Sequence, residues 1–463
     1  MQEKTRGKVR SKKTGKTSSF YLLSLGCPKN LADSEKLTRR LRLKGFSQAP
    51  GPEGADALIV NTCGFIEAAK RESIDEILRL ARLKDDAKGK KGRTNKKGEQ
   101  KKQKLLVFGC LAQRYREELR RELPEVDAIW GTEAEEEIAD YLAAEAGSGA
   151  GEMPPEEARQ PSYMPSTFPY AYLKLSEGCK RRCTFCSIPM IRGPLRNFSP
   201  DAILGEAQGF IKAGIRELVL VSQDTASYRF KGYGLKELVR DISSISGDFW
   251  VRLHYLHPSG VDEGLLDAMA GEKKIVKYLD MPLQHSEARI LGLMGRGGRG
   301  KEYFFRLIGG ARRMMPGLAV RSSFIVGFPG ETREEFEGLL DFIRRAGFEH
   351  AGAFVYSRED GTSAAALKGQ LPQAVKNRRY DRFMSAQAEI SLGKNQALTG
   401  RKLKAIVDEV DGDAAICRLA SQAPEVDGVV FAQMGGKAVK PGDFVRVLIT
   451  EAYDYDLKGR LLG

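Results

Sequence analysis

The feature that most restricts the fold of this chain is a repeated alternation: a short apolar run, a polar turn, and a segment with apolar residues at helical spacing. Between residues 18 and 142 it occurs three times, and the apolar runs end at cysteines: SFYLLSLGC, ADALIVNTC and KLLVFGC. Strands that alternate with helices indicate a parallel sheet with crossover helices. The carboxyl ends of its strands form the ligand crevice, so we expect Cys27, Cys63 and Cys110 there. Cysteine is also a common small core residue, but that explains one such position more easily than three equivalent ones.

Residues 170–397 continue the alternation with six apolar runs of strand length and helical segments between them. The runs are AYLKL, ELVLV, WVRLHYL, VKYLDM, VRSSFIV and AGAFVY. One helix has clear ends, because Thr332 and Glu335 form a capping box and Gly347 is placed to terminate it. Six such units predict a partial (β/α)6 barrel, an incomplete version of the eight-unit barrel, with its chemistry at the carboxyl ends of the strands.

The loops that follow these six strands are rich in polar groups. In strand order they carry Cys179; Gln223 and Asp224; His257; Gln284 and His285; the run GFPGE (327–331); and Arg358, Glu359 and Asp360. A concave surface with a few converging polar groups is what binding of a polar cofactor requires. We therefore expect the cofactor to lie across the carboxyl ends of the strands.

The last part of the chain, residues 398–463, consists of short strand patterns joined by turns that contain Gly and Asp. Five or so strands in this length predict a small closed β-barrel, with Cys417 in its core.

The predicted chain is thus an α/β protein with a C-terminal β-barrel. Its parts are a basic disordered tail (1–17), an α/β domain (18–142) with a mobile basic insert (84–104), a linker (143–169), the partial barrel (170–397) and the small barrel (398–463).

The net charge of +14 is concentrated in two short segments. Residues 1–17 carry +6 and residues 84–104 carry +7, so the folded parts are close to neutral. Both segments have too few apolar residues to fold, and they either solubilise the protein or attract it to a polyanionic assembly such as a ribosome.

No apolar run approaches the roughly 18–20 residues that span a bilayer. Seven cysteines with a CxxC spacing favour metal or redox chemistry in a reducing cytoplasm over a disulfide framework.

Cys179, Cys183 and Cys186 form the spacing C-x-x-x-C-x-x-C in SEGCKRRCTFCSIP (176–189), directly after the first barrel strand. A structural zinc site needs four ligands, and none of the four histidines is close in sequence. A thioredoxin-type reading of the last two cysteines leaves the first unexplained. A cubane iron–sulfur cluster on three thiolates keeps one iron open, which can bind a substrate and pass it an electron.

With this loop at this position, the chain resembles the radical S-adenosylmethionine (SAM) superfamily. The resemblance implies a 4Fe–4S cluster on the three cysteines, whose open iron binds SAM and whose electron releases a 5′-deoxyadenosyl radical. Phe185 matches the aromatic residue usual in the loop. We expect Phe185, together with Gln223 and Gln284 at the ends of the second and fourth strands, to contact SAM.

From about residue 20 to its end, the chain resembles the methylthiotransferases among these enzymes. The resemblance implies that Cys27, Cys63 and Cys110 hold a second 4Fe–4S cluster involved in supplying sulfur, and that the C-terminal barrel is a TRAM domain that presents the substrate. Electron and sulfur donors are implied as partners.

The runs LGCPKNLADSE (25–35), IPMIRGPLRNFSP (188–200), SQDTASY (222–228) and EVDGVV (425–430) resemble the members that modify an aspartate β-carbon of ribosomal protein S-twelve. The C-terminal domain has a net charge of −1, which suits a basic protein better than RNA. The alternatives are a tRNA adenosine methylthiotransferase and a non-catalytic iron–sulfur protein that binds ribosomes.

Overall fold

The computed structural model describes residues 18–89, 103–146 and 168–462. The predicted tail 1–17 and most of the predicted insert and linker lie outside the described residues. The described chain divides into two compact units. The first contains residues 18–25, 33–62, 73–89 and 103–146, and the second contains residues 26–32, 63–72 and 168–462. In these ranges, no helix is both long enough and apolar enough to cross a membrane.

The first unit is built on a five-stranded parallel sheet with the order β2-β1-β3-β4-β5, as the repeated alternation predicts. The strands are β1 (Ser19–Ser24), β2 (Ser47–Gln48), β3 (Ala57–Thr62), β4 (Lys104–Gly109) and β5 (Ala128–Ile129). Every residue of β3 is buried, because helices cover both faces of the sheet, and its sequence ALIVNT begins with four successive apolar residues. The helices of this region are α1 (Pro28–Leu43), α2 (Glu67–Gly89), α3 (Cys110–Arg114), α4 (Arg116–Glu122) and α5 (Glu135–Ala146).

The predicted basic insert 84–104 differs from the structure at both of its ends. Helix α2 continues to Gly89, and β4 already begins at Lys104. Within the predicted insert, Lys84 is buried and donates to Asp127 Oδ2 (2.6 Å) and to the Glu125 carbonyl (2.8 Å). A lysine in a basic run is therefore part of the packed first unit.

The second unit contains the six predicted barrel strands, all parallel, as two sheets with the orders β12-β9-β6 and β13-β14-β15. A bridge between Val251 and Ile275 and a hydrogen bond from the Leu256 N–H to the Asp280 carbonyl (2.9 Å) join the two sheets. The strands, with two short hairpins, are β6 (Tyr170–Lys174), β7 (Ser176–Glu177), β8 (Arg196–Asn197), β9 (Glu217–Val221), β10 (Arg229–Phe230), β11 (Tyr233–Gly234), β12 (Trp250–Leu253), β13 (Tyr278–Asp280), β14 (Ala319–Val326) and β15 (His350–Val355).

Helices alternate with these strands and one long helix follows the last of them, and most of the helices pack against the strands in the largest apolar cluster of the unit. They are α6 (Ile188–Arg192), α7 (Pro200–Lys212), α8 (Leu235–Ser244), α9 (Glu263–Gly271), α10 (Ala288–Leu293), α11 (Lys301–Met314), α12 (Arg333–Ala346) and α13 (Gln373–Gln396). The predicted capping box of α12 is confirmed, since Thr332 Oγ1 accepts from the Glu335 N–H (3.2 Å) and Glu335 accepts from the Thr332 N–H (2.9 Å). Gly347 ends this helix at φ 58°.

The C-terminal barrel is closed by five strands in the order β16-β17-β18-β20-β19. They are β16 (Lys402–Asp411), β17 (Ala414–Leu419), β18 (Val430–Gln433), β19 (Phe444–Ala452) and β20 (Leu457–Leu461). Cys417 is fully buried among its apolar residues, which confirms the expectation of a core position.

The connection between β17 and β18, residues 420–427, packs against residues of the partial barrel, and we call it the barrel plug. Its acceptors meet cations of the barrel strands: the Ala420 carbonyl accepts from the buried Arg252 Nη1 (2.9 Å), and the buried Asp427 Oδ1 accepts from Arg321 Nη1 (2.5 Å). Beside the plug, Arg418 at the end of β17 pairs with the fully buried carboxylate of Glu217. The two barrels of the second unit are thus joined by buried charges.

Candidate active site

The C-x-x-x-C-x-x-C loop lies between β7 and α6, at the carboxyl end of the first barrel strand. The antiparallel pair β7–β8 brackets it, and the Cys179 N–H donates to the Gly193 carbonyl (3.2 Å) across its base. All three thiols of the loop are free and partly buried. The fold therefore places the predicted cluster loop where a barrel of this kind carries its chemistry.

Each of the three sulfurs faces an N–H donor. Cys179 Sγ accepts from the Arg181 backbone (3.4 Å), Cys183 Sγ accepts from Arg296 Nη1 (3.6 Å), and Cys186 accepts from the Ile188 backbone. Hydrogen bonds to sulfur are what stabilises cluster thiolates in proteins. The donor set of this loop fits a cubane iron–sulfur cluster.

Without a cluster, the thiolate forms of Cys179 and Cys186 are unfavourable. Burial raises the pKa of Cys179 and raises the pKa of Cys186 to about 12. Iron would supply the positive charge that offsets this burial. Among the described residues, no three His, Cys, Asp or Glu side chains are placed to surround a single metal ion. A cubane differs from such a site, because each thiolate binds a different iron.

Asp224, at the end of the second barrel strand, anchors the loop. Its buried carboxylate accepts from Arg181 Nε (2.7 Å), from Ser227 Oγ (2.5 Å) and from the His257 N–H (3.3 Å). His257 is neutral at physiological pH, because burial and then the cations Arg296 and Arg181 lower its pKa to about 3. The polar ends of strands two and three thus orient the loop.

A second buried anion, Glu177, fixes the chain just before Cys179. Its carboxylate accepts from Arg192 Nη1 at both oxygens (3.2 Å each) and from Lys29 Nζ (3.3 Å), and it also pairs with Lys174. Burial alone would raise the pKa of Glu177, but these three cations hold it well below its usual value. Because Lys29 belongs to the segment 26–32, this cluster fastens that segment inside the second unit.

The N-terminal cysteines follow the carboxyl ends of three neighbouring strands: Cys27 after β1, Cys63 after β3 and Cys110 after β4. Cys27 is exposed, whereas Cys63 and Cys110 are buried. The chain before Cys27 passes close to Cys63: a Cβ on Gly26, at φ 94°, would lie 2.8 Å from the Cys63 sulfur. The structure thus brings the Cys27 turn and Cys63 together, and Cys110 opens α3 in the first unit.

The three predicted SAM contacts have distinct environments. Phe185 packs against the main apolar cluster of the second unit. Gln223 has a buried Oε1 that accepts no hydrogen bond within the described part of the chain. Gln284 has a φ of 72°, and its backbone pairs with Ser323 and Ile325 of β14 (2.8 Å each). Such a left-handed backbone in a residue other than glycine is uncommon and clusters at functional sites.

Other polar residues at the strand ends make internal contacts. Glu331 of the GFPGE run pairs with Arg379 Nη1 (2.9 Å) and His285 Nε2 (3.5 Å), and Glu359 pairs with Lys70 Nζ (3.0 Å). These ion pairs and hydrogen bonds therefore hold the strand-end loops in place.

Sequence reasoning missed Arg296, which contacts Cys183 of the cluster loop, and Arg192, which contacts Glu177 just before the loop. Arg192 lies in the quoted run IPMIRGPLRNFSP, and Arg296 lies in a glycine-rich run, MGRGGRG (294–300). This glycine-rich run is the sequence signal by which Arg296 could have been found.

Comparison with known families gives three matches along the chain. Residues 19–131 match the "Uncharacterized protein family UPF0004", residues 173–343 match the radical SAM superfamily, and residues 399–462 match the TRAM domain. Among solved structures, the radical SAM methyltransferase TsrM of Kitasatospora setae shares the fold, with a TM-score of 0.53. The alignment has 14% sequence identity and covers 86% of this chain and 79% of that one.

The fold and the cysteine loop together define a radical SAM protein, a class that uses SAM and 4Fe–4S clusters. Two curated relatives extend over almost all of the chain, and both are ribosomal protein uS12 methylthiotransferases RimO. The protein of Thermodesulfovibrio yellowstonii is 48% identical over 450 residues, covering 95% of this chain and 99% of its own. That of Carboxydothermus hydrogenoformans is 43% identical over 453 residues, covering 96% and 99%. The chain belongs to the RimO family of radical SAM methylthiotransferases.

Proposed function

We propose that this chain transfers a methylthio group to the β-carbon of an aspartate in ribosomal protein uS12, the S-twelve of the sequence prediction. The observation that carries the proposal is the match to RimO relatives at 48% identity over 95% of this chain and 99% of theirs. Such a match includes the C-terminal barrel as well as the cluster loop. We assign the reaction to the cytoplasm, where ribosomal proteins are made.

The reaction needs hydrogen removed from an unactivated carbon, which has no proton acidic enough for a general base at neutral pH. SAM bound to a reduced 4Fe–4S cluster supplies a primary alkyl radical, which can take that hydrogen homolytically. In this proposal Cys179, Cys183 and Cys186 hold the cluster. Asp224 and Glu177 keep the loop in place through Arg181 and Arg192.

We assign Phe185, Gln223 and Gln284 to the SAM site. The buried Gln223 Oε1 is an acceptor available to a ligand amino group, since leaving such a group unpaired is unfavourable. The left-handed backbone of Gln284 turns its chain at the end of the fourth strand. Phe185 packs against the apolar core and thereby fixes the cluster loop to it.

We assign Cys27, Cys63 and Cys110 to a second 4Fe–4S cluster that takes part in supplying sulfur. The assignment is supported by the common position of the three residues, each just after a neighbouring strand of one sheet. The close approach of Gly26 to Cys63 supports a shared site for the first two. The proposal requires an external reductant and a sulfur donor as partners.

The test uses anaerobically reconstituted protein with SAM, a reductant and sulfide. Purified uS12 and bulk tRNA serve as the competing substrates. We expect a methylthio group on an aspartate of uS12, with 5′-deoxyadenosine and S-adenosylhomocysteine both formed, and with deuterium from the aspartate β-carbon appearing in 5′-deoxyadenosine. A methylthio product on tRNA alone would establish the other substrate. If no SAM is cleaved, both enzyme hypotheses are refuted and the alternative of a non-catalytic iron–sulfur protein remains.

A matched variant separates the two cysteine sets. Cys27→Ala, Cys63→Ala, Cys110→Ala protein should still cleave SAM but form no methylthio product. Wild-type product formation by this variant would refute the sulfur-supplying role.

A further inference from the structure

A turn after α10 packs directly against the cluster loop. Thr184 donates to this turn twice, from its N–H to the Met294 carbonyl (3.0 Å) and from Oγ1 to the Leu293 carbonyl (2.8 Å). The next residue, Gly295, has a φ of 69°, and a Cβ there would lie 2.7 Å from the Arg182 carbonyl. Only glycine permits this close approach, so the turn and the loop are fixed relative to each other.

The fixed turn presents the side chain of Arg296 to the cysteines. Its Nη1 lies 3.6 Å from Cys183 Sγ, and its Nη2 donates to the Pro282 carbonyl (2.6 Å) at the end of the fourth barrel strand. The two ends of the guanidinium fork are therefore held at once, which the single ammonium of a lysine cannot reproduce.

Within the described part of the chain, no carboxylate neutralises the charge of Arg296. In residues 18–89, 103–146 and 168–462, Arg296 forms no ion pair, whereas the neighbouring Arg181 is paired with Asp224. Arg296 thus directs both an N–H donor and an uncompensated positive charge at a cluster thiolate.

We propose that Arg296 sets the reduction potential of the cluster held by Cys179, Cys183 and Cys186, acting through the Cys183 sulfur. Reduction adds an electron, so the reduced cluster is stabilised more than the oxidised one by a nearby cation and an N–H···S hydrogen bond. Arg296 makes the cluster easier to reduce. It is a positioning residue, and the inference rests on the cluster assignment of the proposed function.

The chain offers a matched control in the same glycine-rich run. Arg299 is exposed, and its guanidinium lies over the Tyr303 ring (5.0 Å) without contact to a cysteine. Arg299→Gln therefore removes one arginine from the turn while leaving the cluster thiolates untouched. Arg296→Gln removes the charge and the fork, and Arg296→Lys keeps the charge alone.

The experiment measures the midpoint potential by redox titration of the full chain, followed by the EPR signal of the reduced cluster. All variants are made in the Cys27→Ala, Cys63→Ala, Cys110→Ala background, so that one cluster contributes the signal. We expect Arg296→Gln to shift the midpoint to more negative potential, Arg296→Lys to shift it less, and Arg299→Gln to leave it unchanged. Iron content and SAM affinity should stay within experimental error of the background protein.

An Arg296→Gln protein with full iron and an unshifted midpoint would overturn the inference. Weakened SAM binding at an unchanged potential would also overturn it and would make Arg296 a SAM ligand. If Arg296→Gln loses iron, Arg296→Lys decides, because an unshifted midpoint in that variant refutes the inference. If the Cys27→Ala, Cys63→Ala, Cys110→Ala protein itself bound no iron, the assignment of a cluster to Cys179, Cys183 and Cys186 would be refuted. This result differs from an unshifted midpoint, and it would remove the basis of the inference.

Discussion

Replacing Glu217 by glutamine should strongly destabilise the second unit. The carboxylate is fully buried and lies between two guanidinium groups, with Oε1 at 2.7 Å from Arg252 Nε and Oε2 at 2.6 Å from Arg418 Nη1. Both arginine side chains are also buried. Of the two, Arg418 keeps another carboxylate partner in Asp408 (2.5 Å), whereas Arg252 keeps the neutral Ala420 carbonyl and the face of the Tyr278 ring.

The magnitude follows from the uncompensated charge. Removing one partner of a buried ion pair costs about 3–5 kcal/mol, because the remaining ion stays desolvated without its counter-charge. An exposed pair in the same unit gives the contrast: Glu451 and Lys458 are each about half exposed, and such pairs contribute little to stability because solvent screens both charges. Glu217→Gln should therefore cost several times more stability than Glu451→Gln.

Thermal unfolding of the purified chain, followed by circular dichroism, measures this difference. We expect the transition of Glu217→Gln to fall by on the order of 5 °C or more, and that of Glu451→Gln to stay close to wild type. Equal transitions for the two variants would refute the reasoning.

The pH dependence supplies a second check on Glu217. Burial alone would raise the pKa of its carboxyl, but Arg252 and Arg418 lower it below the usual value. A lowered folded-state pKa contributes stability that is present above the unfolded value of about 4.3 and is lost as the pH falls. The gap between wild type and Glu217→Gln should therefore narrow below about pH 4.

Three further predictions concern other parts of the chain. Reconstituted protein should bind about eight iron atoms, and the Cys179→Ala, Cys183→Ala, Cys186→Ala variant should bind about four. Iron analysis measures both, and Cys417→Ala is the control that should keep all of the iron. Thr332→Ala should lower the unfolding free energy by about 1 kcal/mol through loss of the cap, measured by chemical denaturation. Lys84→Met should destabilise the first unit by about 1–3 kcal/mol, because it removes the cation that pairs with Asp127 and the donor to the Glu125 carbonyl, whereas Arg79→Met in the same helix should cost less than about 0.5 kcal/mol by the same measurement.

The strands and helices could be predicted because their signals are local. The run ALIVNT predicts a buried strand from six consecutive residues, and β3 is buried throughout. The caps at Thr332 and Gly347 depend on residues within one helix, and both are confirmed. The three cysteines 179, 183 and 186 lie within eight residues of each other, so their common loop could be inferred from spacing alone.

The parts that escaped prediction depend on partners distant in sequence. Glu217 and Arg418 lie about two hundred residues apart, and each alone has the appearance of a surface charge. The same holds for Arg296, whose contact with Cys183 exists only after the turn at Gly295 has packed against the loop. Lys84 stands in a basic run that predicts a mobile segment, whereas its ion pair is with Asp127, which lies 43 residues further along the chain, just before β5.

The barrel plug has a consequence for dividing the chain. Residue 398 looks like a natural cut point, since the partial barrel ends before it and the small barrel begins after it. A fragment cut there would keep Glu217 and Arg321 but lose Arg418 and Asp427, so that Glu217 would lose one of its two guanidinium partners and Arg321 its 2.5 Å carboxylate partner. A chimera that exchanged the C-terminal barrel with that of a relative would face the same mismatch, unless the charged residues of both halves were transplanted together. The two barrels must therefore be expressed and exchanged as one piece.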